Sequence, residues 1–356
     1  MSSVLKLLFE EAEAFQAAGK LEESLVKWKE VRRVKDSPYA ALRHVIVARE
    51  LKRWSEAEEA AHAGIKMDPE NREGKLAWLF TFLGEIFLDL NKADGGKDHL
   101  ERARACFHKA VEIEERADFY FFLGATYMGS EDSAIAEQNL RRALDLNPAH
   151  DEAMYNLAEV IRCSRDESAP AEAVELYRKA IAIDPHYSQA HRGLAYIFFA
   201  SQQFDEAERY ARLALKFDHS DWAAHTIMGR LLLRKGQIRS ARKELERGAE
   251  LGPIAWEAQS RLARFYDDHG SLMDAQQAFR RCLSLDPDNP WANRRYGAVL
   301  ADMEKPVEAR SFLKRAIALN PNDRFAPEYL KKLDDMYPHR RLPKRRDSRN
   351  FRKRQP

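Results

Sequence analysis

Six helical runs in this chain end in nearly the same three residues: MDP, LNP, IDP, LGP, LDP and LNP. The closing prolines are Pro69, Pro148, Pro185, Pro253, Pro287 and Pro321. The last three follow one another at intervals of 34 residues. Proline ends a helix because it lacks an amide hydrogen and forces the preceding residue out of the α region. A fixed period of this length predicts a stacked array of helical hairpins, because one hairpin cannot bury its apolar face alone.

The pattern within one period is clearest in residues 117–150. Large and small residues recur there at helical spacing, in the order Tyr120, Leu123, Gly124, Tyr127, Ala136, Leu140, Ala143 and Pro148. This pattern resembles that of the tetratricopeptide repeat (TPR) family, in which Leu-Gly and Tyr precede Ala, a large residue and a closing Pro. The resemblance implies an all-α fold: a right-handed superhelical solenoid of about nine helix-turn-helix repeats with a C-terminal capping helix.

The same frame divides residues 1–337 into nine repeats and a capping helix. The repeats span approximately residues 5–37, 38–71, 72–116, 117–150, 151–187, 188–221, 222–255, 256–289 and 290–323, and the capping helix spans residues 324–337. Two repeats exceed the period. Residues 72–116 contain the longer connection NKADGGKD, and residues 151–187 contain three extra residues near Cys163–Ala169. We expect these insertions to form loops that contact a specific partner.

Charge separates the end of the chain from the rest. The net charge is +2, but residues 339–356 alone carry +8, which leaves −6 on residues 1–338. The basic residues of this segment are Arg340, Arg341, Lys344, Arg345, Arg346, Arg349, Arg352, Lys353 and Arg354. A segment with so few apolar residues cannot bury enough surface to fold, so we predict that residues 338–356 form a disordered basic tail.

The sequence lacks the motifs of common enzymes and metal sites. It contains no G-x-x-x-x-G-K-[ST] loop, no H-E-x-x-H helix and no cysteine pair at metal spacing. His191 and His225 occupy equivalent positions in adjacent repeats, so the repeat itself explains them. We therefore predict that the protein is not an enzyme and has no catalytic residues, cofactor or metal.

Cysteine content and hydropathy indicate the compartment. The three cysteines form no disulfide framework, which is typical of a reducing, cytoplasmic compartment. In a eukaryote the basic tail would equally suit a nuclear protein. No stretch approaches the ~20 apolar residues that cross a bilayer, so we predict no membrane span.

Ligands of TPR solenoids bind on the concave face, which the first helix of each hairpin lines. The family frame places Phe121, Tyr155, Asn156 and Tyr196 in the middle of this groove. Its C-terminal half is rich in arginine, with Arg192, Arg230, Arg234, Arg261, Arg264, Arg294 and Arg295. Arginine binds carboxylates and phosphates through paired N–H groups, and aromatic rings anchor an extended peptide. The alternative is that these arginines are solvated helix formers and that some of the aromatic residues pack between helices.

These features favour a non-catalytic TPR scaffold or adaptor that binds an acidic or extended segment of a partner protein and assembles a multiprotein complex. No three consecutive repeats match the residues with which chaperone-binding TPR domains clamp a C-terminal carboxylate. Two alternatives stay open. One is a nucleic-acid-associated adaptor that uses the basic tail and the Arg-rich groove, with an affinity that falls steeply with salt. The other is an accessory subunit of an enzyme complex.

Overall fold

The computed structural model describes residues 3–94, 96–130, 132–163, 169–269 and 271–337. Over these ranges the chain is all-α, as the repeat pattern predicts, with 19 helices and no strand. The first ten helices are α1 (Ser3–Ala17), α2 (Leu21–Val34), α3 (Pro38–Glu50), α4 (Trp54–Met67), α5 (Leu76–Asp94), α6 (Lys97–Ile113), α7 (Ala117–Ala125), α8 (Ser133–Leu146), α9 (Asp151–Arg162) and α10 (Ala169–Ile183). The others are α11 (Ser188–Ala200), α12 (Phe204–Phe217), α13 (Trp222–Arg234), α14 (Ile238–Leu251), α15 (Trp256–Asp268), α16 (Leu272–Leu285), α17 (Pro290–Asp302), α18 (Pro306–Leu319) and α19 (Phe325–Met336). The predicted basic tail, residues 338–356, lies outside the described residues.

The helices pack as successive hairpins in two compact units, one ending at Gly193 and one beginning at Leu194. In the N-terminal unit, α1 pairs with α2 and the pairing continues to α9 with α10, while α2, α4, α6 and α8 also contact the following hairpin. In the C-terminal unit, α13 pairs with α14, α15 with α16 and α17 with α18. The final helix, α19, packs on α18 and agrees with the predicted capping helix. The predicted repeat solenoid is therefore confirmed.

The turn that closes most hairpins depends on its Asp or Asn side chain as well as on proline. Asn147 and Asp184 accept hydrogen bonds from the backbone N–H two residues later, at 3.1 and 2.9 Å. Asp218 makes the same bond with Ser220, at 2.9 Å, although His219 replaces the usual proline. Its backbone angles, φ −136° and ψ 95°, closely match those of Asn147. The side-chain bond therefore preserves the turn where proline is missing.

Small residues let the two helices of a hairpin approach closely. A methyl group added to Gly124 on α7 would lie 2.9 Å from Leu140 Cγ on α8. The equivalent distance from Gly229 on α13 to Leu245 Cγ on α14 is 2.7 Å. Both leucines are fully buried or nearly so. The Leu-Gly element of the repeat therefore marks the closest contact between the two helices, because a side chain of any size would force them apart.

The insertion in residues 72–116 differs from its prediction. In place of a long connection, α5 continues to Asp94 and α6 begins at Lys97, so helix occupies most of NKADGGKD. This connection consists of Asn, Lys, Ala, Asp and Gly, and only its glycines strongly oppose helix. The extra residues lengthen one hairpin, with Phe87 and Phe107 buried between its helices. The other insertion, near Cys163–Ala169, falls largely outside the described residues.

The final helix is held by an ion pair as well as by apolar contacts. Leu333 of α19 is 1% exposed and belongs to the core of the C-terminal unit. Asp323, just before α19, accepts the Phe325 N–H at 2.9 Å and the Arg294 guanidinium at 2.9 and 3.0 Å. This helix thus covers the last hairpin, as solenoids require. No helix in the described part of the chain is long and apolar enough to cross a membrane.

Candidate functional site

The arginines predicted to line a groove lie on the first helices of the hairpins, and in the C-terminal unit these are α13, α15 and α17. On α13, Gly229 and Leu231 are buried, which leaves Arg230 and Arg234 one helical turn apart on the same side. Arg230 contacts Phe199 of α11, and α13 also contacts α15. We call the surface that α11, α13, α15 and α17 present in the C-terminal unit the first-helix face.

A cavity of about 340 Å³ opens between α11, the start of α12 and α13. We call it the Arg–Phe pocket. It is lined by Tyr196, Phe199, Ala200, Gln202, Phe204, Arg230 and Arg234. The Arg230 guanidinium carbon lies 4.0 Å from the Phe199 ring centroid, and that of Arg234 lies 4.1 Å from the Phe204 centroid. The two rings meet edge to face at 5.6 Å. Two neighbouring cation–π contacts therefore form one wall of this pocket.

Arg230 is half-buried yet makes no hydrogen bond or ion pair with any residue in the described ranges. Burial, followed by the nearby Arg261 guanidinium, lowers the pKa of Arg230, while Glu257 opposes this shift. Arginine nevertheless stays protonated at neutral pH. Arg234 is exposed at the rim of the Arg–Phe pocket and likewise has no carboxylate partner among the described residues. The pocket therefore holds two guanidinium groups whose N–H groups have no anionic acceptor there.

Arg261 and Arg264, on α15, are only weakly paired. Arg261 lies 3.5 Å from Glu257, and Arg264 lies 3.4 Å from Asp268, each one turn away on the same helix. The Arg264 side chain is 61% exposed. Exposed pairs of this length contribute little stability. They leave the positive charge next to Arg230 largely available to a ligand.

Arg294 and Arg295, on α17, are in contrast engaged in ion pairs. Arg294 binds both carboxylate oxygens of Asp323 and lies over the Phe325 ring at 5.1 Å. Arg295 contacts Asp267 and, at 3.3 Å, Asp268. Burial raises the pKa of Asp267, although the Arg295 guanidinium opposes it. These two arginines connect neighbouring elements, so a ligand would have to displace an existing carboxylate to bind them.

The predicted residues in the N-terminal unit form a separate, more aromatic group. Arg192 donates a hydrogen bond to the Tyr155 hydroxyl at 2.8 Å, and burial raises the pKa of Tyr155. Tyr155 also lies 5.4 Å from the Tyr187 ring. Asn156 is half-buried on α9, and Phe121 lies on α7 with its ring 4.8 Å from His150. Arg192 and Tyr155 therefore interact with each other.

The aromatic residues divide between core and surface, as the alternative interpretation expected. Phe122 stacks on Phe107 at 5.5 Å and packs against the core of the N-terminal unit. Tyr196 in contrast is 38% exposed and lines the Arg–Phe pocket. Phe204 also lines this pocket but was not predicted, because it belongs to a second helix. Residues 238, 272 and 306, at the same position of later repeats, are Ile, Leu and Pro, so an aromatic residue at 204 is the signal that could have identified it.

His191 and His225 have a structural function that the repeat explains. His191 Nε2 lies 3.0 Å from the Pro185 carbonyl oxygen, and His225 Nε2 lies 3.1 Å from that of His219, each six residues earlier. Asn293 donates at 2.9 Å to the carbonyl of Pro287, also six residues earlier. Each side chain thus ties a first helix to the turn that precedes it.

In the described ranges, three potential metal ligands lie together, with their ligand atoms within 4.8 Å of one another: His150, Asp151 and Glu152. His150 Nδ1 accepts the Ala153 N–H at 3.4 Å and so caps α9. The same Nδ1 atom also lies 3.1 Å from Glu152 Oε2. Burial raises the pKa of the Cys106 and Cys282 thiols to about 12, which keeps them unreactive at neutral pH.

Comparison with known proteins supports the family resemblance. Two family models, both described as tetratricopeptide repeat, match residues 164–231 and 268–332, and residues 123–187 and 228–290. The human Protein O-mannosyl-transferase TMTC3 is 26% identical over 180 residues, which are 50% of this chain but 18% of the human protein. The chain thus spans less than a fifth of that relative, and the transferase activity in its name is stated of that protein alone.

Solved structures share the fold at low sequence identity. IFIT1, as a monomeric mutant with Gppp-AAAA, is 18% identical with a TM-score of 0.60, and the match covers 91% of this chain and 80% of IFIT1. A chain of the APC/C hetero-tetramer Cut9–Hcn1 is 10% identical with a TM-score of 0.56, and the match covers 93% of this chain and 96% of that chain. Such likeness concerns the fold only. The two family models together span residues 123–332, more than half of the sequence. The chain belongs to the tetratricopeptide repeat family.

Proposed function

We propose that this protein is a non-catalytic scaffold that binds an acidic or extended segment of a partner protein on its first-helix face and so assembles a multiprotein complex. Tetratricopeptide repeat proteins are in general protein-interaction scaffolds, which supports the broad assignment. The three cysteines are all unpaired, which supports a reducing, cytoplasmic-type compartment.

The observation that carries the proposal is the unpaired arginine pair of the Arg–Phe pocket. Arg230 is half-buried, and a partly desolvated charge without a partner is unfavourable. A carboxylate from a bound segment would satisfy it, and such charge-assisted hydrogen bonds are about twice as strong as neutral ones. Arg261 and Arg264 would attract the approaching acidic segment, because their own carboxylate contacts are long.

Stacking makes the pocket more specific than a solvated basic surface. The guanidinium carbons of Arg230 and Arg234 lie over the Phe199 and Phe204 rings, 4.0 and 4.1 Å from the ring centroids. These contacts restrict the rotation of the Arg230 and Arg234 side chains, which would otherwise lose much conformational entropy on binding. The exposed ring of Tyr196, at the same pocket, offers an apolar anchor for a neighbouring side chain.

A direct binding experiment tests this function. A fluorescein-labelled peptide of alternating Glu and Phe would be titrated with full-length protein and followed by fluorescence anisotropy. Arg230→Gln should weaken binding about tenfold or more, as expected for loss of a charged hydrogen-bond partner. Arg281→Gln is the matched control, because Arg281 is exposed on α16, a second helix. Equal affinities of wild type and Arg230→Gln would show that the peptide binds elsewhere.

The basic segment supports a second candidate function, association with nucleic acid. Residues 339–356 carry nine Lys or Arg residues, and such a segment attracts phosphates. The affinity for a single-stranded oligonucleotide should then fall steeply with salt and disappear when residues 339–356 are deleted. If oligonucleotide binding survives this deletion but is lost in Arg230→Gln, the nucleic acid binds on the first-helix face and not at the basic segment.

A further inference from the structure

Two of the residues that line the Arg–Phe pocket are arginines without a carboxylate partner in the described ranges. Arg261 and Arg264 each lie within 3.5 Å of a carboxylate on α15. Arg230 and Arg234 have no such partner among the described residues, although both line the same pocket. A single carboxylate, with one negative charge, would compensate only one of these two guanidinium groups. A group with two negative charges would match both.

We propose that the Arg–Phe pocket selects a phosphorylated Ser or Thr side chain within the segment that the first-helix face binds. This inference rests on the proposed function and specifies its ligand. A phosphate monoester carries about −1.5 to −2 charges at pH 7 and offers three strong acceptor oxygens. A nucleic-acid phosphodiester carries one negative charge, so it matches the pair less well.

The orientation of the two arginines suits such a group. Because the Phe199 and Phe204 rings lie 4.0 and 4.1 Å from the guanidinium carbons, an acceptor must approach Arg230 and Arg234 from the sides that the rings leave open. Two guanidinium forks present more donors than one carboxylate can accept, whereas phosphate oxygens can accept from both. The volume, about 340 Å³, suits a side chain, because ligand pockets range from about 300 to 1,000 Å³.

Neighbouring groups support this selectivity. Gln202 also lines the pocket, and its side-chain amide can donate to a phosphate oxygen. Burial, followed by the Arg261 guanidinium, lowers the pKa of Arg230, and Glu257 and Tyr196 oppose this shift.

Three otherwise identical peptides test the inference. Each contains Glu and Phe around a central residue that is Ser, Glu or phosphoserine, and each is titrated with the full-length protein. The phosphoserine peptide should bind about tenfold more tightly than the Glu peptide, because it gains a second charged hydrogen-bonding partner. This preference should shrink as pH falls through about 6, where the phosphate becomes a monoanion. A carboxylate, with a pKa of about 4, shows no such change.

Variants assign the preference to the pocket. Arg234→Gln should reduce the ratio between phosphoserine and Glu affinities toward one, whereas Arg281→Gln should leave it unchanged. If the phosphoserine and Glu peptides bind with equal affinity and their binding still depends on Arg230, the inference is wrong and the proposed function stands. If none of the peptides binds, both fail. A phosphoserine preference that persists in Arg230→Gln and Arg234→Gln would also overturn the inference, because the phosphate would then bind elsewhere, for example at the basic segment.

Discussion

The close approach of α7 and α8 at Gly124 gives a stability prediction that distances alone can support. A methyl group there would lie 2.9 Å from Leu140 Cγ, 3.1 Å from the Ala136 carbonyl oxygen and 3.3 Å from Asn139 Cβ. Non-bonded carbon atoms are normally about 3.5–4.0 Å apart. Because one of these neighbours is backbone, a rotamer change cannot relieve the contact and α8 itself must move.

Two opposing effects set the magnitude. Ala forms helix more readily than Gly by about 1 kcal/mol, whereas overpacking a core costs about 1–3 kcal/mol. We therefore expect Gly124→Ala to change the free energy of unfolding by no more than about 2 kcal/mol. Gly124→Leu should cost about 3 kcal/mol, because it adds carbon atoms to the same contact and gains no further helix propensity.

Urea unfolding, followed by circular dichroism, measures these differences, and hydrogen exchange localises them. The local measurement is needed because hairpins of a repeat array need not unfold together. Ala134→Leu is the matched control, since Ala134 is exposed on α8 and its replacement should change stability by less than about 0.5 kcal/mol. If Gly124→Leu is as stable as wild type and α7 amides exchange no faster, the repeat frame of residues 117–150 is misplaced.

The remaining predictions concern four substitutions in the turns and at the ends of the hairpins. Asp218→Ala should lower the free energy of unfolding by about 1 kcal/mol, because it removes the acceptor of the Ser220 N–H in the turn after α12. His219→Pro should raise the free energy of unfolding by about 0.4–1 kcal/mol. The midpoints of urea unfolding measure both changes. The hydrogen bond with Glu244 raises the pKa of His225, so its stabilising effect is fully present below the unfolded value near 6.5 and is lost as pH rises through the folded value. His225→Gln should therefore abolish that pH dependence, and an unchanged stability profile above pH 6.5 would contradict the assignment. Asp323→Ala should lower the free energy of unfolding by about 1 kcal/mol and speed hydrogen exchange in α19, because it removes the carboxylate that accepts the Phe325 N–H at the start of that helix. Unchanged exchange there would show that the capping helix does not need this carboxylate.

The fold could be predicted from the sequence because each period repeats the same local physics. Proline stops a helix wherever it occurs, and Leu-Gly permits close helix contact wherever it occurs. The turn at His219 shows that a second signal, the Asp at 218, carried the same information. The conformation of the insertion around Asp94 was harder to predict, because its residues tolerate both helix and loop. Packing of the lengthened hairpin decides between the two.

The candidate site could be predicted only in part. The repeat frame placed Arg230, Arg234 and Tyr196 on first helices, and the structure brings them to one pocket. Nothing in the frame distinguishes an unpaired arginine such as Arg230 from Arg295, which contacts Asp267. The ion pairs of Arg294 and Arg295 involve residues 27 to 29 positions away, whose side chains meet only after hairpins stack. Sequence therefore locates the surface, whereas the structure identifies which charges on it remain available.

A charge-swap cycle tests the central claim, that Arg230 binds an acidic residue of a partner segment, most directly. The affinity of wild type and Arg230→Glu would be measured for an acidic peptide and for the same peptide with one central Glu replaced by Lys. We predict a coupling energy of at least about 1 kcal/mol, with the Lys peptide regaining affinity for Arg230→Glu. Arg281→Glu should show no coupling. Strictly additive effects of the two changes would contradict the account, because the peptide charge and Arg230 would then not meet.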